Sequence, residues 1–156
     1  MRHLSRLSLI VLTMAIALQA SLALAAPTPW TSIDVTLHPD QMDGLLLVSG
    51  ELPETTELPF EAELAVPAGL EILWIGEVLR GAVEDDPELE YTKTTRGEVD
   101  VYQFTLTESR IAQIEGVMPG MVTASGANFS ADVKWTAWQD IPSVRISTRL
   151  PQGARS

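Results

Sequence analysis

Apolar and polar side chains alternate with a period of two along several short stretches of this chain, and that alternation constrains the fold more than any other feature. In the clearest case, ELPFEAELAV, five apolar residues fall on one face: Leu58, Phe60, Ala62, Leu64 and Val66. Successive side chains of a β-strand point to opposite faces, so this pattern predicts a strand with one face in the core. Pro59 cannot donate a ladder hydrogen bond and is expected at the start of that strand or on a sheet edge.

Six further stretches are predicted to be strands: WTSIDVTL, GLLLVSGEL, LEILWIGEVL, EVDVYQFTLT, FSADVKWTAW and SVRISTRL. LEILWIGEVL is apolar on both faces, which predicts a central strand, or one that bends at Gly76, with Trp74 in the core. ESRIAQIEG is expected to be a short helix or an eighth strand. Turn-rich segments separate these stretches at the spacing typical of a sandwich or barrel. We therefore predict an all-β, immunoglobulin-like β-sandwich of about seven or eight antiparallel strands, alike in architecture only, because the cysteine pair of antibody domains is missing.

The first 25 residues have the features of a secretory signal. Arg2 and Arg6 precede an apolar run, and Ala23-Leu24-Ala25 matches the small residues that a signal peptidase recognises. We predict a cleaved signal peptide at residues 1–25 and one β-sandwich domain at residues 26–156, with an uncleaved anchor helix as the alternative. An exported chain without cysteine is more typical of bacteria than of eukaryotic secretion. The predicted location is secreted or periplasmic, with no membrane span after cleavage.

The charge of the predicted domain limits its partners. Cleavage removes Arg2 and Arg6 and no acidic residue, which leaves 8 of the 10 basic side chains against 21 acidic ones and a formal charge of −13. Such a field repels nucleic acid and anionic lipid. We predict a protein or carbohydrate partner at the cell envelope and no nucleic-acid partner.

Two tryptophans three residues apart give the main candidate for ligand contact. Strand alternation would place Trp135 in the core, and Trp138 outward on the polar face with Lys134 and Thr136. Tryptophan is enriched at binding hot spots, so these three outward residues are the predicted ligand-binding set. The alternative is that Trp138 covers a sheet end or packs under a loop.

Two long segments between the predicted strands are expected to be loops beside this surface: Arg80–Glu98, which is acidic, and Met118–Asn128, which is rich in glycine. The run EDDPELEY in the first could attract calcium, because hard cations take clustered carboxylates. It lacks the alternating ligand spacing of an EF-hand loop, so a solvated loop is the favoured interpretation.

A second candidate set combines imidazole and thioether groups: His38, Met42, Met118 and Met121. These ligands suit Cu(I), which makes a periplasmic copper carrier the alternative function. Methionine is also a common filler of irregular gaps in a core, which is the competing interpretation of the same residues.

Motifs for catalysis are missing from the sequence. The chain has no cysteine, keeps only His38 as histidine after cleavage, and contains neither a Gly-x-Ser-x-Gly elbow nor a phosphate-binding glycine loop. Pairs of carboxylates are too numerous for any one pair to indicate glycoside hydrolysis. We predict a non-catalytic binding or accessory module without a cofactor.

Overall fold

A computed structural model describes residues 27–39, 44–126 and 128–150, so the predicted signal peptide and Met42 lie outside the described residues. The described part is all-β, with one 3₁₀ turn at Val83–Asp85. The strands are β1 (Ser32–His38), β2 (Leu45–Glu51), β3 (Phe60–Pro67), β4 (Glu71–Glu77), β5 (Tyr91–Arg96), β6 (Val99–Leu106), β7 (Ile111–Val117), β8 (Val122–Ser125), β9 (Asn128–Ala131) and β10 (Val144–Thr148). None of these residues forms a helix with the length and hydropathy that crossing a bilayer requires.

The strands form a five-stranded sheet in the order β10-β1-β2-β7-β4, a three-stranded sheet in the order β3-β6-β5, and a β8-β9 hairpin. β1 and β10 pair in parallel, and the other pairs are antiparallel. Along the sequence, β3 and β6 both lie between β2 and β7, which pair with each other in the other sheet. The arrangement of sheets is consistent with a β-sandwich.

The core lies between the two larger sheets, which both contribute to one apolar cluster. β1 buries Ile33, Val35 and Leu37, and β3 buries Ala62 and Leu64, as the alternation predicts. Pro59 directly precedes β3, an edge strand, so its predicted position is confirmed; the Leu58–Pro59 bond is cis.

β4 differs from the prediction in two ways. It is an edge strand, not a central one, and a bulge between Ile72 and Trp74 shifts its register against β7. Because the extra residue reverses the faces that follow it, Ile75 is buried in the core while Trp74 is only half-buried. The indole of Trp74 lies across Gly76, where a β-carbon would clash with the ring.

Three strands fall where the sequence predicts loops or leaves two choices. β5 lies within the predicted loop Arg80–Glu98, and β8 lies within the predicted loop Met118–Asn128. Every side chain of β5 is exposed, so its sequence has no apolar alternation from which a strand could be predicted. ESRIAQIEG forms a strand, β7, and not a helix.

The predicted strand FSADVKWTAW is much shorter than expected. Pairing with β8 ends at Ala131, and residues 132–141, named the strap here, follow with no regular structure. Partial burial still alternates from Asp132 to Thr136 and then stops, so Ala137 is exposed although a continued strand would place it on the face of Trp135.

β10 is a strand but has no buried face. All five residues are exposed, including Val144 and Ile146, which the alternation predicts to be inward. Their faces are correct relative to β1, because Ile33 pairs with Val144 and Val35 with Ile146. They are exposed because β10 is the last strand of the sheet and nothing in the described structure covers it on that side.

Candidate ligand-binding cavity

Hydrogen bonds and packing hold the strap against the three-stranded sheet and against the segments of Thr28 and Met121. Its first residue, Asp132, donates its N–H to the carbonyl of Met121 at 3.0 Å. The indole N–H of Trp135 donates to the carbonyl of Ala65 on β3 at 3.3 Å. Further along, the side-chain amide of Gln139 donates to the carbonyl of Thr28.

The sequence predicts that Trp138 projects into solvent, but the structure does not place it there. It is half-buried and packs against Ala65, Val99 and Val101 on the outer face of the three-stranded sheet. Its ring also meets that of Trp135 edge to face, with centroids 6.0 Å apart and planes at 83°. This position resembles the alternative interpretation, in which Trp138 covers a sheet end or packs under a loop, and it explains why these three outward-facing apolar residues are buried.

The Nε1 atom of Trp138 is buried and has no hydrogen-bond partner in the described structure. A buried N–H without an acceptor costs roughly 1–3 kcal/mol, so the apolar contacts of the ring must outweigh this penalty. Trp135 is half-buried in contact with the core cluster, and its N–H is paired. The two tryptophans thus share a packing role and differ in hydrogen bonding.

Lys134 and Thr136, predicted beside Trp138, line a cavity of about 290 Å³ whose lining does not include the indole. Nine residues surround it: Pro67, Ala68, Glu98, Met118, Met121, Asp132, Val133, Lys134 and Thr136. The cavity is therefore formed by the strap, the end of β3 and the segment that follows β7. Its volume is near the lower end of the range for small-molecule pockets.

Charged groups stand at this cavity beside apolar ones. The Lys134 Nζ atom lies 2.6 Å from Glu98 Oε2, and both side chains are more than two-thirds exposed. An ion pair this exposed contributes roughly 0–1 kcal/mol, so it opens at small cost. Asp132 adds a second carboxylate to the lining.

The candidate copper ligands are only partly brought together. Met118 and Met121 line the cavity, and the N–H of Met121 donates to the carbonyl of Met118 at 3.1 Å. His38 ends β1 opposite Leu45 and does not line the cavity. Met42 lies outside the described residues. Within residues 27–39, 44–126 and 128–150, no group of three or more histidine and carboxylate side chains is placed to hold a metal ion.

Asp100 of β6 is buried, and both of its carboxylate oxygens have partners. Its carboxylate lies 2.8 Å from Lys93 Nζ and accepts hydrogen bonds from the hydroxyl of Thr95 and the N–H of Gly69. Burial alone would raise the pKa of Asp100, but these hydrogen bonds and the ammonium outweigh it and lower the pKa below its usual value. The hydrogen bond to Asp100 is also the main cause that raises the pKa of Lys93.

Glu77, the last residue of β4, is completely buried. Its two carboxylate oxygens accept the N–H groups of Thr107, Glu108 and Ser109, and one of them also accepts the Thr107 hydroxyl. The carboxylate therefore fixes the turn between β6 and β7. Neither Glu77 nor Asp100 lines the cavities described here, so both act as structural acceptors.

Two other cavities are lined by none of the predicted ligand-binding residues. One of about 460 Å³ lies beside the β6–β7 turn and is lined by Arg80, Arg110 and acidic residues. The other, of about 410 Å³, lies on the outer face of the three-stranded sheet near Glu61 and Gln103. Sequence reasoning missed the wall that Pro67 and Ala68 form, because a Pro-Ala-Gly run after a strand is typical of a simple turn.

No protein-family model and no curated protein matches this sequence, and no solved structure matches its fold.

Proposed function

We propose that this chain is an exported, non-catalytic binding module of the bacterial cell envelope or extracellular space, and that it holds a segment of a protein partner at the cavity beside the strap. One observation carries the proposal. Lys134 and Thr136, chosen from the sequence as contacts, line the same cavity as Met118 and Met121. The two ends of the β8–β9 hairpin thus meet Pro67, Ala68 and Glu98, which are distant in sequence, at one concave place.

The chemistry of the lining suits a peptide better than a sugar. Methionine side chains are flexible and adapt to apolar partners of different shape. The Lys134–Glu98 pair at the cavity can exchange its weak mutual contact for contacts with the polar backbone of a peptide. Stacking on a sugar would need an open aromatic face, and Trp138 instead packs against the sheet and Trp135.

The non-catalytic part of the proposal rests on the two buried carboxylates. Catalytic carboxylates act on groups that reach them. Both oxygens of Glu77 and of Asp100 accept hydrogen bonds from the protein itself, and both side chains are buried. The export part rests on the basic and apolar start of the chain and on Ala23-Leu24-Ala25, which lie outside the described residues.

The immunoglobulin-like part of the proposal extends to two layers of mostly antiparallel strands and no further. In the immunoglobulin order, strands A, B, E and D share one sheet and C, F and G share the other. In this chain β7 pairs with β2, as strand E pairs with B, and β6 pairs with β3, as strand F pairs with C. However, β6 precedes β7 along the chain, whereas strand F follows strand E in the immunoglobulin order. The supported likeness is therefore one of architecture.

A displayed random-peptide library and a glycan array test the ligand class directly. We expect wild type to select peptides, and Thr136→Arg, which places a long side chain at the cavity, to weaken their binding at least about tenfold, or 1.4 kcal/mol. Thr94→Arg, on exposed β5, is the matched control and should bind as wild type does. Selection of glycans alone would replace the peptide by a sugar. Failure to bind either probe would refute the proposal.

Copper carriage is the second candidate, because Met118 and Met121 line one cavity. If it is correct, Cu(I) raises Tm, since a ligand that binds only the folded state stabilises it. The paired changes Met118→Leu and Met121→Leu keep the apolar volume and should abolish the increase. An unchanged Tm in wild type would exclude the candidate.

A further inference from the structure

The outer edge of β10 presents unpaired backbone groups. The N–H of Ile33 donates to the carbonyl of Ser143 at 2.9 Å, and the N–H of Arg149 donates to the carbonyl of Leu37 at 2.8 Å. In a parallel ladder every second residue bonds to the neighbouring strand, so residues 143, 145, 147 and 149 face β1. The N–H and C=O groups of Val144, Ile146 and Thr148 therefore point away from the sheet, and no described residue pairs with them.

The same three residues carry an exposed face. Val144 and Ile146 are 41% and 65% exposed and stand on the side of the sheet that buries Ile33 and Val35. On the opposite side, β10 is attached by polar contacts. Arg145 donates two hydrogen bonds to Asp34, at 2.7 and 2.8 Å.

The other edges of the two larger sheets are closed or charged. β3 is covered by Trp30 and Trp135, whose indole N–H groups donate to its carbonyls. β4 is covered by residues 87–89, which bond to its backbone. β5 is open but carries Lys93 and Arg96, and charges on an edge discourage pairing. Of the two larger sheets, β10 is thus the open edge that carries exposed aliphatic side chains.

We propose that β10 pairs antiparallel with β10 of a second copy, in the register that places Ile146 opposite Ile146. Two antiparallel residues whose groups face each other exchange both hydrogen bonds. In this register Ile146 bonds to its own counterpart, and Val144 and Thr148 bond to each other across the two-fold axis. Every outward backbone group of the strand is then paired, because the edge is complementary to itself.

The positions of the arginine side chains favour this register over the two neighbouring registers. With Ile146 opposite itself, Arg145 falls opposite Ser147 of the second copy. A shift of two residues in the pairing brings Arg145 opposite Arg145 in one direction and opposite Arg149 in the other. Like charges directly opposite each other destabilise a strand pair, so both alternatives are disfavoured. A second copy therefore fits the edge in one register.

The dimer is expected to be weak and to strengthen with salt. Five residues form a small interface, of the size that gives transient association. Each chain has a formal charge of −11, so two copies repel until ions screen them. An interface based on ion pairs would show the opposite salt dependence.

Sedimentation of the purified protein, up to about 1 mM, measures the association. Ile146→Glu and Ile146→Lys should each weaken dimerisation at least about tenfold, since each places like charges on the two-fold axis. An equimolar mixture of the two variants should dimerise again, because Glu and Lys then face each other. The exposure of Ile146 allows both variants to fold.

Thr94→Glu, on the other open edge, is the control and should leave the association unchanged. In wild type, amide exchange at Ile146 should slow as concentration rises, because its N–H gains a partner, while exchange at Val48 on the central strand β2 should not. A monomer at every concentration, a mixture that stays monomeric, or loss of the dimer in Thr94→Glu would overturn the proposal.

Discussion

The five-stranded sheet has two edges, β4 and β10, and the chain treats them differently. At β4 the N–H of Leu89 donates to the carbonyl of Ile75 and the N–H of Glu77 to that of Pro87, so a following segment covers the edge. At β10 every side chain is exposed, and no described residue pairs with the outer backbone groups.

This difference shows that belonging to a sheet and belonging to the core are separate properties. Ile75 of β4 is fully buried because the three-stranded sheet and the segment of Leu89 cover it. Ile146 of β10 is equally apolar and equally well paired with β1, yet it is 65% exposed. Ladder hydrogen bonds place a strand, but burial provides most of its stability.

Removal of the Glu77 carboxylate should have the largest effect at the covered edge. Glu77→Ala leaves the N–H groups of Thr107, Glu108 and Ser109 without their acceptor, so we expect a loss of about 2–4 kcal/mol in the free energy of unfolding. Urea denaturation measures it. Asp34→Ala, which breaks the exposed pair with Arg145, is the control and should cost about 0–1 kcal/mol. Equal losses would show that the two edges do not differ.

Hydrogen exchange compares the edge with the centre of the same sheet. The amide of Ser147 should exchange at least about 100-fold faster than that of Val48, which lies on the central strand β2, because the exposed strand opens locally. Nuclear magnetic resonance at low protein concentration measures both amides. Equal protection would mean that β10 opens only with the whole domain.

Loss of the Asp100 charge should have a smaller, pH-dependent effect at β5. Because the pKa of Asp100 is lowered in the folded state, its stabilisation is present above the unfolded value of about 3.9 and disappears as pH falls through the lowered pKa. Asp100→Asn should cost about 1–3 kcal/mol at pH 7 and flatten the acid limb of the stability curve. An identical acid limb in wild type and variant would contradict this assignment.

Trp138→Phe should have the smallest effect. The change removes a buried N–H without an acceptor and part of the apolar ring, two opposing effects, so stability should change by less than about 1 kcal/mol. Trp138→Ala should cost more, about 1–3 kcal/mol, since the half-buried ring no longer covers Ala65, Val99 and Val101. If Trp138→Phe costs as much as Trp138→Ala, the indole N–H has a partner after all.

The strands that the sequence predicted best are those with one face against the opposite sheet. β1, β3 and β6 bury Val35, Leu64 and Phe104 as expected. β5 escaped prediction because an exposed strand needs no apolar alternation. The faces of β4 were misjudged because its bulge follows from pairing with β7, which local periodicity does not contain.

The candidate site was half predictable. Lys134 and Thr136 were chosen as exposed neighbours of a tryptophan, and both line the cavity. That Met118 and Met121 would meet them could not be read from the chain, since the contact depends on the path of the strap. The role of Trp138 as a ligand contact stays a prediction.

By itself the sequence determined the all-β class and the inward side chains of the covered strands, because alternation is a local consequence of backbone geometry. Only the tertiary structure decided which strands form the edges, that Trp138 packs over Ala65 and Val101, and that Ile146 remains exposed. The physical reason is that a side chain is buried only when a second surface covers it. The sequence of a strand specifies the first surface, and only the tertiary structure determines whether a second one covers it.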